Sequence, residues 1–245
     1  MGKQFARLWP FLDTLTVLDV PTTPWYDTAA QHPWVSALDF VIDTAGTKGK
    51  KTVAEATSQI ASFFHSSYGL KYDTVNGAPN YVSASASTGP KYDLTAFQTK
   101  ANTATVNCYD LAASLTVLSN LIGGNAEYHY MGPFGYINQT SLVGHGQSNN
   151  PFFDNASYSS AKITDADACK GDPDPNNRSS FGNHAFVELS AKVYDANVEP
   201  HLGTESRDDY IKNSIDVKDR AGRTCNKDRA GTASNVEATA KITLK

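Results

Sequence analysis

Cysteine, long apolar runs and net charge are all scarce in this chain. Three cysteines occur in 245 residues: Cys108, Cys169 and Cys225. None stand as C-x-x-C, which speaks against a structural zinc site. An odd count allows one disulfide at most. Cys169 and Cys225, both in polar, loop-like sequence, are the natural pair, and three reduced thiols is the equal alternative. No apolar run approaches the ~18 residues needed to cross a bilayer. The N-terminus lacks the apolar stretch of a secretory signal, because Trp9-Pro10-Phe11 and Asp13 interrupt it. Ala6 occupies the Ser/Thr slot of a myristoylation signal. The expectation is a cytoplasmic protein, or one exported without a cleaved N-terminal peptide. A net charge of −4 is not the basic footprint of a nucleic-acid binder. No internal repeat is visible.

Aromatic residues are plentiful: 12 Tyr, 11 Phe and 3 Trp, in a chain that is 40% hydrophobic. That is material for one globular domain and excludes global disorder. Leu15 to Val20 reads as a strand stopped by Pro21, and Trp34 to Ile42 is apolar at both the helical and the strand period. Residues 52–68 read as a helix, with Val53, Ala56, Ile60 and Phe63/Phe64 on one stripe and Gly69 as its stop. Residues 108–121 read as a second, with Leu111, Leu115, Leu118 and Ile122 in register and Gly123-Gly124 after it. Ala112, Ala113 and Ser114 let a neighbour approach closely. Extended segments follow at Ala126 to Met131 and Tyr136 to Val143. Residues 144–182 form a long polar excursion of the kind that is usually functional or mobile. Its Asp165 to Asp172 stretch is a poor calcium loop, since Cys169 takes a ligand slot. His184 to Asp195 reads as a hairpin, and a charged tail from Arg207 ends in a strand-like Ala240 to Leu244.

Cys108 stands in the first turn of the second helix. The helix dipole and unpaired backbone N–H groups there favour a thiolate and can hold an oxyanion. The bland alternative is a small buried hydrophobe. The hairpin brings His184 to Asp195. A turn at Leu189-Ser190 sets them directly opposite, with Cβ atoms ~5 Å apart. A turn at Ser190-Ala191 makes them diagonal neighbours on one face, and an odd loop separates them. A carboxylate beside an imidazole fixes its tautomer and leaves the other nitrogen to take a thiol proton. Asp195, Glu199 and His201 make a poor metal set, because Pro200 breaks their spacing.

The order of these parts resembles the transglutaminase-like superfamily of papain-type cysteine enzymes, over about residues 50–200. Tyr68-Gly69-Leu70-Lys71-Tyr72-Asp73 is similar to the end of the family's pre-catalytic helix. Val106-Asn107-Cys108-Tyr109-Asp110-Leu111-Ala112-Ala113 resembles its nucleophile helix, Gly182 to Glu188 its His strand, and Val193-Tyr194-Asp195-Ala196 its Asp strand. Two departures are Asn107, where the family often has Gly, and Phe186, where it commonly has Trp.

The resemblance implies Cys108 as nucleophile, His184 as general base and acid, and Asp195 as orienter. It implies an α+β fold with a transglutaminase-like or papain-like core: a catalytic helix packed on an antiparallel sheet, with a loop insertion at 144–182. The whole is one domain, flanked by extensions at 1–49 and 207–245. Asn107, Tyr109, Phe134 and Asn183 are the expected substrate-lining residues, with Asn107, Tyr109 or Trp34 as a second oxyanion donor. The expected activity is acyl transfer on protein or peptide amides through a thioester: hydrolysis or deamidation, transamidation of glutamine, or peptide cleavage. A delivered effector or toxin is one setting for it. No cofactor, metal, nucleic acid or membrane span is expected, and the sequence does not specify an oligomeric state. The alternative is a catalytically silent module on the same fold, binding a partner through an aromatic surface at 126–153.

Overall fold

The computed structural model describes residues 33–83, 89–101, 103–132, 134–160, 178–215 and 236–244. The Leu15 to Val20 strand, Cys169, Cys225 and the Asp165 to Asp172 stretch lie outside them. The fold is α+β. Its helices are α1 (Pro33–Asp39), continued by a π-helical turn at Phe40–Thr44, then α2 (Val53–Ser66), α3 (Leu94–Thr99), α4 (Cys108–Leu121) and α5 (Arg207–Ser214). Its strands are β1 (Lys71–Tyr72), β2 (Lys91–Tyr92), β3 (Thr105–Val106), β4 (Glu127–Gly132), β5 (Thr140–Leu142), β6 (Gly146–Ser148), β7 (His184–Leu189), β8 (Lys192–Asp195), β9 (His201–Leu202), β10 (Val236–Ala240) and β11 (Thr243–Leu244). The central sheet is antiparallel, in the order β10-β4-β7-β8-β9.

Helix α4 is buried on nearly every side, which marks it as the central helix rather than a surface one. It packs on β7 and β4. Helix α2 starts from a reciprocal cap. The Glu55 amide donates to Thr52 Oγ1 (3.1 Å), and the Glu55 carboxylate accepts from the Thr52 amide (3.3 Å). Its buried stripe of Ala56, Ile60 and Phe64 faces α4 and the sheet. Thr57 donates to Ser119 Oγ (3.0 Å), tying α2 to α4. Gly124 permits the close turn out of α4, since a Cβ there would stand 2.6 Å from the Ser119 carbonyl oxygen.

The segment with two periods, Trp34 to Ile42, is helical, and Ala37, Phe40 and Val41 are buried core. The stretch from Arg207 is also integral: α5 covers the sheet, and β10 pairs with β4 from Val236↔Gly132 to Ala240↔Tyr128. The described residues of the excursion at 144–182 contribute to the core. They carry β6, and Asn150, Phe153, Arg178 and Ser179 are buried. Of Tyr136 to Val143, only Thr140–Leu142 is strand.

The β7–β8 hairpin turns through Ser190 and Ala191, with pairs Leu189↔Lys192, Glu188↔Val193 and Val187↔Tyr194. The Leu189-Ser190 turn is therefore not the one adopted. A two-residue loop with positive φ at both central positions matches strand twist, and Ser190 (φ 54°) and Ala191 (φ 58°) take that geometry. An alanine there is strained. Ala191→Gly is expected to stabilise the protein by about 0.5–1 kcal/mol, the relief of strain exceeding glycine's entropy cost. Thermal unfolding reads this as a midpoint up by ~1–4 °C; a lower midpoint contradicts it.

Candidate active site

Asn107 decides where α4 begins. Its backbone is extended, and its Oδ1 accepts from the amides of Tyr109 (2.9 Å) and Asp110 (3.1 Å). In return, Asp110 Oδ2 accepts from the Asn107 amide (3.3 Å). This makes Cys108 the first helical residue, as a free and buried thiol. Asn107 Nδ2 donates to the Gly77 carbonyl (2.8 Å). The Asn107 side chain is thus engaged by the cap through Oδ1 and by a loop contact through Nδ2. The cap also takes the Tyr109 and Asp110 amides, and of the first three helical amides it leaves that of Cys108.

Asp110 does more than cap. Its Oδ1 accepts from the amides of Tyr81 and Val82 (both 2.9 Å), and its Oδ2 also accepts from Asn80 (2.8 Å). One buried carboxylate therefore binds the 80–82 loop to the helix end that carries the thiol.

His184 opens β7 and Asp195 closes β8. The hairpin register makes them diagonal neighbours on one face. His184 Nε2 lies 2.8 Å from Asp195 Oδ2, with both side chains buried. Asp195 Oδ1 accepts from the Asn197 amide (2.7 Å). Phe181 stacks on the imidazole at 5.2 Å and Phe134 leans on it at 4.8 Å, so the ring is held by packing as well as by hydrogen bonds.

With Nε2 directed at the carboxylate, the network assigns the proton to Nε2. Burial opposes charge on His184, but the charge and hydrogen bond of Asp195, with a further contribution from Cys108, push its pKa up to about 10. Burial likewise opposes charge on Asp195, and the His184 imidazolium outweighs it and holds the carboxyl below its ordinary range. His184 Nδ1 has no hydrogen-bond partner of normal geometry. Cys108 begins the helix that packs on β7, the strand that His184 opens. The arrangement is a thiol at a helix start, an imidazole with one free nitrogen, and a carboxylate behind it.

The other expected residues fare differently. Tyr109 is half-buried, and its hydroxyl donates to Asn183 Oδ1, so these two form a pair beside the thiol. Phe134 is buried. It lines a cavity of about 420 Å³ with Val198, Glu199, Leu202 and Glu205, and Cys108 is not part of that wall. Trp34 lies on α1, and its side chain is outside the described residues. The aromatic stretch at 126–153 is largely core: Tyr128, Phe134 and Phe153 are buried rather than displayed. Asp195, Glu199 and His201 do not converge on a metal, because Asp195 faces His184 and His201 Nδ1 pairs with Glu205 (2.6 Å). Among the described residues, donors of Glu127, His129 and Glu188 lie within 4.8 Å of one another. Glu188 stands at the far end of β7 from His184, about 13 Å along the strand.

Sequence reasoning missed two residues. Tyr210, on α5, is fully buried, and its hydroxyl donates to Asp195 Oδ2 (2.8 Å) while lying 3.0 Å from His184 Nε2. Asp110 was visible only as a helix residue. Its position three after Asn107 is the one signal of a capping box that could have singled it out.

No helix among the described residues is long and apolar enough to cross a membrane. Compared with protein-family models, curated proteins and solved structures, the chain matches none of them.

Proposed function

We propose that the protein is a cysteine-dependent acyl-transfer enzyme acting on protein or peptide amides, with a transglutaminase-like or papain-like core. The observation that carries this reading is the buried His184–Asp195 pair, 2.8 Å apart, whose second ring nitrogen stays free, on a strand against which the helix begun by Cys108 packs. A histidine present only for packing needs neither the carboxylate nor the sulfur.

Cys108 Sγ attacks the amide carbonyl carbon, and the carbonyl π electrons move to oxygen. The Cys108 amide, which the cap leaves, is the donor suited to that oxyanion. When the intermediate collapses, the C–N bond breaks and the His184 imidazolium gives its proton to the departing amine. The enzyme now carries a thioester. Water or a second amine attacks it, His184 accepts the proton, and Cys108 leaves as the thiolate. Attack by water hydrolyses a peptide bond or deamidates glutamine; attack by an amine transfers the acyl group. Hydrolysis or deamidation is the preferred outcome in this reading. Burial of Tyr128, Phe134 and Phe153 weighs against the silent binding module, which needs such aromatics exposed.

The test is thiol alkylation by iodoacetamide near pH 6. Cys108 is expected to react at least about tenfold faster than Cys169 and Cys225, and His184→Ala to remove that lead. Equal rates at all three cysteines in the wild type overturn the reading.

A further inference from the structure

Tyr210 sits on the helix least expected to matter. Helix α5 has the sequence RDDYIKNS, polar apart from Tyr210 and the partly buried Ile211, with Tyr210 as its buried residue. It begins at a Ser206 cap, where the Asp209 amide donates to Ser206 Oγ (3.2 Å), and this orients the tyrosine inward. The ring packs on Phe186 at 5.0 Å and Phe134 at 6.4 Å. Packing alone would place a phenylalanine here equally well. The hydroxyl reaches past the apolar contacts to close a triangle with Asp195 Oδ2 (2.8 Å) and His184 Nε2 (3.0 Å).

The donors and acceptors in that triangle are fixed. Ionised Asp195 only accepts, and its Oδ1 is engaged by the Asn197 amide. Its Oδ2 therefore receives two donors, the Tyr210 hydroxyl and His184 Nε2–H. A hydroxyl donating to a buried carboxylate favours the charged form and spreads its charge over a second partner.

We propose that Tyr210 is a positioning residue of this array. Its hydroxyl holds Asp195 as an oriented anion and so sets the pH range over which His184 keeps its proton. The proposal rests on the reading of Cys108 and His184 as a catalytic pair. Other ionisable groups face the triangle as well. His201 stands edge-on to the Tyr210 ring at 4.7 Å and is paired with Glu205. His65 bonds the Ala196 carbonyl through Nδ1 (3.0 Å) and feels Asp195. Tyr72 is in the field of both Cys108 and Asp195. None of these is among the donors to Asp195 Oδ2; that role falls to Tyr210 and His184.

Without the hydroxyl, the whole charge of Oδ2 falls on His184. The imidazolium is then held more tightly and loses its proton at higher pH. The experiment is the pH dependence of Cys108 alkylation in wild type, Tyr210→Phe, and protein with 3,5-difluorotyrosine at 210, a stronger donor. The upper transition, where His184 deprotonates, is expected to rise by about one pH unit in Tyr210→Phe and to fall with the fluorinated residue. The thermal midpoint of Tyr210→Phe is expected to change by only a few degrees. Transitions that coincide in all three proteins overturn the role of Tyr210 and leave the catalytic pair standing. A wild type in which Cys108 titrates as an isolated thiol, with no second transition, overturns the catalytic reading itself. Should Tyr210→Phe fail to fold, the fluorinated protein alone decides, because it keeps the ring and hydroxyl in place and strengthens the donor.

Discussion

Cys108→Ala is expected to lower acyl transfer by about 10⁴-fold or more while leaving the protein folded. The nucleophile has no substitute among the described residues, where Cys108 is the one cysteine. In enzymes of this kind, removing the attacking atom costs as much as removing the whole array, because the remaining members act only through it. The substitution itself is mild. The side chain is small and buried at the first turn of α4, beside Leu111 and Ala112 in the core, and alanine suits a helix. The cap on Asn107 uses backbone amides and is untouched. The measurement is mass spectrometry of a protein mixture incubated with wild type and variant. A cut chain, a deamidated glutamine or an amine adduct is expected from the wild type and is absent with Cys108→Ala. Equal product from both proteins would place the chemistry elsewhere.

Asp110→Ala is expected to be the most damaging substitution for stability in the described core, at about 3 kcal/mol or more. The carboxylate accepts from four backbone amides, those of Asn80, Tyr81, Val82 and Asn107. Alanine leaves all four without an acceptor in a place that water does not reach, since Asp110 is 0% exposed. Each buried unsatisfied donor costs ~1–3 kcal/mol. Relaxation of the 80–82 loop recovers part of this, which keeps the expected total near the lower end. Thermal unfolding should show a midpoint lower by roughly 6–12 °C. Because the same carboxylate fixes the N-terminus of α4, alkylation of Cys108 should slow as well, even at temperatures where the variant remains folded. A midpoint within a degree of wild type would mean that these amides find other acceptors.

What could be read from the sequence followed the reach of each signal. Helices α2 and α4 were legible because both carry apolar residues at helical steps between a polar start and a glycine stop, and both boundaries fall within two residues of expectation. Cys108 as a first-turn residue followed from that boundary. The pairing of His184 with Asp195 was legible as a parity argument: any two-residue turn puts them on one face. Which two-residue turn forms was not, since Ser190 and Ala191 are poor advertisements for positive φ. Asn107 looked like a departure from a glycine and proved to be the N-cap. Tyr210 was invisible because a polar eight-residue helix with one aromatic has no periodicity, and its partner lies 15 residues away on another element. The pairing of β10 with β4 joins residues about a hundred apart and leaves no local trace. The aromatic surface at 126–153 belonged only to the alternative reading, and strand β4 with the bridge at Gly135↔Phe181 places Tyr128 and Phe134 in the core.

The central claim is that a sulfur and a carboxylate act on one imidazole from opposite sides. It is tested most directly by following the imidazole ¹⁵N resonances of His184 across pH in wild type and in Cys108→Ala. The account predicts that wild-type His184 stays doubly protonated well past neutrality, with the Nε2 proton retained in the neutral ring. It predicts a lower titration midpoint in Cys108→Ala, since the negative charge of a Cys108 thiolate no longer supports the imidazolium while Asp195 still does. Superimposable titrations of His184 in the two proteins would contradict the account, because the sulfur and the ring would then not be in contact.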